Sequence, residues 1–226
     1  MSKIKTIYTC SKCGAQFPKW TGRCSECGAW GTIGQEEIRI GKKKKTFLDA
    51  PAGKVVNFGS VGTEVKERYR TKIEEVDRVV GGGIVPGSVV LLGGEPGIGK
   101  STLILQIAEK IGLPGKKVLY ISGEESADQV KMRLDRLNLD SQNIQFSGET
   151  DIEVIVSTIK KYQPRLAIVD SIQTIYFEDL PSEAGSVNQI KACTAKLVEI
   201  AKGENIPIII IGHVTKSGAM AGPKTL

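Results

Sequence analysis

The sequence predicts an α/β fold: an open, mostly parallel sheet with helices on both sides, preceded by a small cysteine-rich module. Three observations carry this. Apolar runs such as "SVVLLGG" (88–94), "RLAIVD" (165–170) and "IPIIIIGH" (206–213) read as strands buried on both faces. Stretches of helical periodicity separate them, which implies right-handed crossovers between parallel strands. Four of the five cysteines and both tryptophans fall within residues 1–33, outside this alternation.

The elements follow in order. The strand at 88–94 runs into a glycine-rich loop, and a helix is expected from about Ser101. "KKVLYIS" (116–122) is the next strand. "SADQ" (126–129) has the spacing of a capping box, with Val130, Leu134 and Leu137 following at helical intervals. A short strand "NIQF" (143–146) leads to "TDIE" (150–153), a second capping box, whose helix places Ile152, Ile155, Val156 and Ile159 on one face. After the strand ending at Asp170, a loop and a long helix fill 171–204, with "SVNQ" (186–189) as its cap. The last strand closes at His213. Three domains are expected: the cysteine-rich module at 1–33, a basic linker at 34–70 and the regular α/β core at 71–226.

Composition bounds the function. Hydrophobic residues make up 40% of the 226 and aromatics 5%, so the core is expected to be aliphatic. No run of about 18 apolar residues is present, which argues against a transmembrane helix. The basic N-terminus has no apolar signal core behind it, so the cytoplasm is the expected compartment. Residues 1–70 carry 14 Lys/Arg against 6 Asp/Glu, and residues 71–226 carry 17 against 19. The basic excess of the first segment, with the run Lys42–Lys45, suits a polyanion such as nucleic acid, or a solvated arm without a dedicated partner.

"GEPGIGKS" matches G-x-x-x-x-G-K-[ST], between a buried strand and a helix. Gly94, Glu95, Pro96, Gly97, Ile98 and Gly99 are expected to wrap phosphate oxygens with main-chain amides, at a helix N-terminus that favours anions. Lys100 is expected to reach the β- and γ-phosphates of ATP, Ser101 to ligate Mg²⁺ and Thr102 to help hold the α-phosphate. Hydrolysis needs a further acid on the metal and a group that orients water. Asp170 is the candidate for the first. Glu124 is the candidate for the second, with Glu125 as fallback. His213, the only histidine, ends a strand where it can hydrogen-bond the γ-phosphate, and Lys216 follows in the same loop.

Cys10, Cys13, Cys24 and Cys27 form C-x₂-C-x₁₀-C-x₂-C, the spacing of a closed, structural Zn²⁺ site. Disulfides are the alternative, and the missing secretion signal disfavours them. A glycine follows the second cysteine of each pair and is suited to a left-handed turn. Trp20 and Trp30 are expected to pack over the small core, with base stacking as their other role. Cys193 is expected to be a small buried residue.

Together the finger, "EVDRVVGGGIVPGSVVLLGGEPGIGKSTLILQ", "YISGEES", "LAIVDSIQT" and "GHVTKSGAMAGP" resemble the RadA/Sms family of bacterial DNA-repair ATPases, from Cys10 to the last residues. The resemblance implies a RecA-like P-loop NTPase core that assembles into a homo-oligomeric, hexameric ring in full-length members. It implies binding to single-stranded and branched DNA beside the RecA recombinase, and ATP-driven processing of recombination intermediates. By residue match, Lys100 and Ser101 take the Walker A roles, Asp170 the Walker B role and Glu124 the water-activating role. His213 takes the place of the nucleotide-sensing residue, and the four cysteines are the zinc ligands. Family members run on into a Lys-Asn-Arg-Phe-Gly motif and a domain resembling Lon protease, so the chain is expected to be truncated before both. The competing expectation is a nucleotide-gated adaptor that recruits a partner protein or DNA through the finger without motor activity.

Overall fold

The computed structural model describes residues 3–12, 14–40, 55–60 and 67–213. Two compact units divide the chain, residues 1–66 and 67–226.

The first unit is a three-stranded antiparallel sheet of β1 (Lys3–Cys10), β2 (Gln16–Phe17) and β3 (Ile33–Ile40), in the order β2-β1-β3. The third strand occupies residues that the sequence pattern assigns to the linker. Two loops of like geometry rise from this sheet. In one, the Gly14 amide donates to the Cys10 carbonyl at 2.8 Å; in the other, the Gly28 amide donates to the Cys24 carbonyl at 2.9 Å. Both glycines are left-handed, at φ 71° and 72°, which a side chain would disfavour. Among the described residues the unit's core is Cys10, Cys24 and Ile33, with Tyr8, Ala15 and Phe17 against it.

The second unit carries α1 (Glu74–Val79), β4 (Val89–Gly94), α2 (Lys100–Ile111), β5 (Val118–Ser122), α3 (Ala127–Arg136), β6 (Ile144–Ser147), α4 (Ile152–Tyr162), β7 (Leu166–Asp170), α5 (Val187–Glu204) and β8 (Ile208–His213). The five strands form an all-parallel sheet in the order β4-β8-β7-β5-β6. Every residue of β5 and β7 is buried, as continuous apolar runs require. The two sheet faces make separate cores. One packs α4 and α5 through Ile155, Ile159, Cys193 and Leu197. The other packs α2 and α3 through Ile104, Leu105, Val130 and Leu134.

Local capping follows the sequence with one shift. Ser126 and Gln129 close the reciprocal box at the start of α3. Before α4 the cap is Asp151, whose carboxylate accepts the Glu153 amide at 2.8 Å, and not Thr150. The reason is a bridge to the chain after β7: Thr150 O accepts the Tyr176 amide and Tyr176 O accepts the Ile152 amide, each at 2.9 Å. The start of α5 carries its expected cap. Ser186 accepts the Gln189 amide, but the Gln189 side chain turns away to Phe177, Leu180 and Ser182 and pins the loop before the helix.

Ahead of the sheet, the segment entering α1 is held by one carboxylate. Asp77 accepts from the Thr71 amide and hydroxyl, both at 2.9 Å, and from the Lys72 amide at 3.1 Å. Burial alone would raise its pKa; these bonds, with Arg70 nearby, hold it below the usual aspartate value.

Candidate nucleotide site and metal centre

Parallel pairing brings the strand ends to one rim. Gly94, the last residue of β4, pairs with His213 of β8, and Ser122 of β5 pairs with Asp170 of β7. Ligands in open parallel sheets bind at this carboxyl rim. A cavity of about 320 Å³ opens there. Its walls are Pro96, Gly97, Gly99, Lys100, Ser101 and Thr102 from the loop and α2, with Glu124, Arg133, Arg136 and His213 opposite.

The loop folds as its glycines allow. Gly97 and Gly99 take φ of 82° and 95°, and Gly99 caps α2. Residues 95–99 are exposed, whereas Lys100 is 7% exposed. Its Nζ donates to the carbonyls of Gly94 at 2.9 Å and Glu95 at 2.7 Å. Gly94 sits under the loop: a Cβ there would come 2.5 Å from Ile98 Cδ1 and 3.4 Å from Lys100 Cδ. Ile98 itself is 63% exposed and, with Gly94 and Glu95, is not part of the cavity wall.

Glu124 and Glu125 part company. Glu124 Oε1 accepts from Ser171 Oγ and lies 3.1 Å from His213 Nε2. Glu125 instead pairs with Arg133 across the first turns of α3. Burial alone would raise the Glu124 pKa; the bonds from Ser171 and His213, the charge of His213 and that of Lys100 outweigh it and hold the carboxyl below the usual glutamate value. Glu124 is therefore a carboxylate at neutral pH, aimed into the cavity that holds Lys100.

Asp170 lies deeper. It is 5% exposed and accepts a 2.5 Å hydrogen bond from the Tyr120 hydroxyl. Burial, then the charge of Asp170, pushes the Tyr120 pKa far above its ordinary value, so the phenol stays a donor. His213 is tied a second time, its carbonyl accepting from Gln173 Nε2 at 3.4 Å.

Four participants escape a reading of the sequence: Tyr120, Ser171, Arg133 and Arg136. The arginines do leave a signal, two cations at i and i+3 on the helix that follows "GEES". Lys216 and the Lys42–Lys45 run lie outside the described residues.

In the first unit, the sulfurs of Cys10, Cys24 and Cys27 lie within 4.8 Å of one another, and Cys10 Sγ is 3.8 Å from Cys27 Sγ. Zn–S bonds of ~2.3 Å in a tetrahedron give sulfur–sulfur edges of ~3.8 Å. A disulfide needs ~2.05 Å. The donor set thus fits a tetrahedral thiolate site; Cys13 lies outside the described residues. Cys193 is buried in the other unit, where burial, then the charge of Asp151, pushes its thiol up to about 11.

Residues 58–219 match a family described as the AAA domain. The chain belongs to that family. Ahead of the AAA domain, residues 8–35 match the rubredoxin metal binding domain. Over all of its length the chain is similar to the DNA repair protein RadA of Bacillus subtilis (strain 168), at 45% identity across 230 residues and 50% of that protein. It spans about half the length of the curated relatives it matches. Among solved structures, a DnaB-like replicative helicase aligns with a TM-score of 0.55 at 16% identity, covering 67% of this chain and 44% of that one. The KaiC-like protein PH0186 from Pyrococcus horikoshii OT3 aligns with a TM-score of 0.55 at 21% identity, covering 66% and 72%. These likenesses concern the fold of the AAA domain: the RecA-like parallel core expected from the sequence. No helix among the described residues is long and apolar enough to cross a membrane.

Proposed function

We propose that the chain is the nucleotide-hydrolysing part of a DNA-repair motor, organised as a zinc finger at 1–33, a basic linker at 34–70 and an ATPase core at 71–226. The observation that carries this reading is the Glu124 carboxylate, held by Ser171 and His213 across the cavity from Lys100. The similarity to DNA repair proteins named RadA supports the biological setting.

In this reading the loop from Gly94 to Gly99 cradles the phosphates of ATP, Lys100 exchanges its two carbonyl partners for β- and γ-oxygens, and Thr102 steadies the α-phosphate. Ser101 and Asp170 hold Mg²⁺, which neutralises charge developing on the phosphates when bound. Glu124, ionised at neutral pH, orients the attacking water and accepts its proton. His213 senses the terminal phosphate through the bond it shares with Glu124. Cys10, Cys13, Cys24 and Cys27 hold one structural Zn²⁺. The substrates are single-stranded and branched DNA at recombination intermediates, handled beside a RecA recombinase by a homo-oligomeric ring in the cytoplasm.

Phosphate release by the protein, with and without single-stranded DNA, tests this. DNA-stimulated release that Lys100→Ala abolishes is expected. Equal release by the two proteins refutes hydrolysis at this site. Turnover blocked by Glu124→Gln with repair intact in cells would turn the reading toward a nucleotide-gated adaptor.

A further inference from the structure

The sequence places both tryptophans of the chain in the cysteine module, where packing over its core is the simpler expectation. The structure reverses that: Trp20 is 62% exposed and Trp30 74% exposed. Neither belongs to the small core of Cys10, Cys24 and Ile33.

The two rings are presented together and held in place. A Cβ built on Gly22 would lie 3.7 Å from Trp20 Cη2 and 3.9 Å from Trp30 Cζ3, so both ring edges border the gap that this glycine leaves. Trp20 Nε1 donates to the Ile33 carbonyl at 3.2 Å, which satisfies its one polar atom while its ring stays in solvent. Trp30 pairs with Arg23 in an antiparallel bridge. The Arg23 guanidinium stands 5.8 Å from the Trp30 ring centroid, and its Nε donates to the Gly28 carbonyl at 3.1 Å. Arg23, and Lys19 next to Trp20 in sequence, are both exposed.

We infer that the Trp20–Trp30 face of the ribbon is a stacking platform for the bases of single-stranded nucleic acid. Exposed aromatic faces with neighbouring cations are what sequence-tolerant single-strand binding uses. A protein partner is the less suited occupant. Protein interfaces set their aromatic anchors in a wider apolar core, whereas among the described side chains of residues 6–35 these two rings are the only large hydrophobics exposed. The thiolate site trims the ribbon's positive charge, so this face contributes stacking more than charge neutralisation. The inference rests on the DNA-repair reading for the identity of the partner and adds where the strand is held.

Because these are the only two tryptophans in the chain, indole emission reports on this face alone. The experiment titrates the whole protein, loaded with zinc, with oligo(dT) of about 20 nucleotides. Indole emission is followed beside the anisotropy of a labelled copy. Saturable quenching that tracks binding is expected. Trp30→Ala should weaken binding about 5- to 100-fold, the cost of losing a stacked base. Trp30→Phe should recover most of that loss. The slope of affinity against salt should not change, since no phosphate contact is lost. Zinc content and DNA-independent phosphate release should match the unsubstituted protein. Binding seen by anisotropy with unchanged indole emission overturns the platform, leaves the DNA reading standing and makes a protein the occupant of this face. Absence of binding overturns both. Quenching without DNA-stimulated phosphate release keeps the platform and removes the motor.

Discussion

Glu124 and His213 lie 89 residues apart in sequence and are joined by a 3.1 Å hydrogen bond between Oε1 and Nε2. Glu124 is reached from the end of β5 and His213 closes β8, with β7 between the two strands. The bond therefore spans a strand and ties the two sides of the cavity.

The same carboxylate predicts a pH profile. Against the effect of burial, Ser171, His213 and Lys100 hold its pKa below the ordinary glutamate value. A base of lowered pKa stays ionised to lower pH, so the acid limb of the turnover profile should fall below the usual glutamate range. Ser171→Ala removes one donor and should move that limb upward. Steady-state phosphate release across the acid range measures it. A limb at the same position in both proteins would remove Glu124 as the titrating base.

Tyr120→Phe should separate packing from hydrogen bonding. The ring keeps its stacked contact with Phe146, at 6.5 Å between centroids, while Asp170 loses the phenol that donates to it in a nearly closed site. Leaving a buried acceptor short of a partner costs about 1–3 kcal/mol. Urea unfolding should show a loss of that size. An unchanged midpoint would mean that Asp170 finds another donor.

Asp77→Asn should destabilise the entry to the second unit, and the loss should vanish in acid. Folding lowers the Asp77 pKa from its ordinary aspartate value. Its contribution is thus present above the unfolded value and lost as pH falls through the lower, folded value. Melting temperatures of the two proteins should differ near neutrality and converge below that range. The difference should be smaller than for Tyr120→Phe, because the carboxylate is partly solvated.

Removing zinc should unfold the first unit alone. Its core among the described residues is three side chains, and domains with so small a core need a metal or crosslink. Native mass spectrometry should show one Zn²⁺, lost with Cys24→Ser and Cys27→Ser together. A chelator should abolish the amide-exchange protection of the first unit while the helical signal of the second unit persists. Retained protection after complete chelation would show a fold that needs no metal.

What is legible in the sequence is local. The loop from Gly94 to Ser101 lies within one strand-to-helix turn, and the box of Ser126 and Gln129 within one helical turn. The two Cys-x-x-Cys-Gly loops also need only near neighbours. What is not legible depends on pairing at long range. Tyr120 meets Asp170, and Ser171 meets Glu124, only because Ser122 pairs with Asp170 in the sheet. Thr150 loses its expected cap role to a bridge with Tyr176. The tryptophans depart from expectation for another reason: the described core of the first unit, Cys10, Cys24 and Ile33, offers an indole little to pack against.

The ladders of the parallel sheet have unequal lengths. β4 and β8 stay paired to Gly94 and His213, and β5 and β7 to Ser122 and Asp170, but the pairing of β7 with β8 ends at Val169 and Ile210. Beyond that rung the sheet has a seam. The phosphate loop and His213 ride on one flap; Glu124, Asp170 and Ser171 ride on the other. Side-chain bonds such as Glu124–His213 and Gln173–His213 clasp the two. Opening the clasp breaks no rung of either flap, so a ligand that wedges between Lys100 and Glu124 works against a few side-chain contacts and not against the sheet.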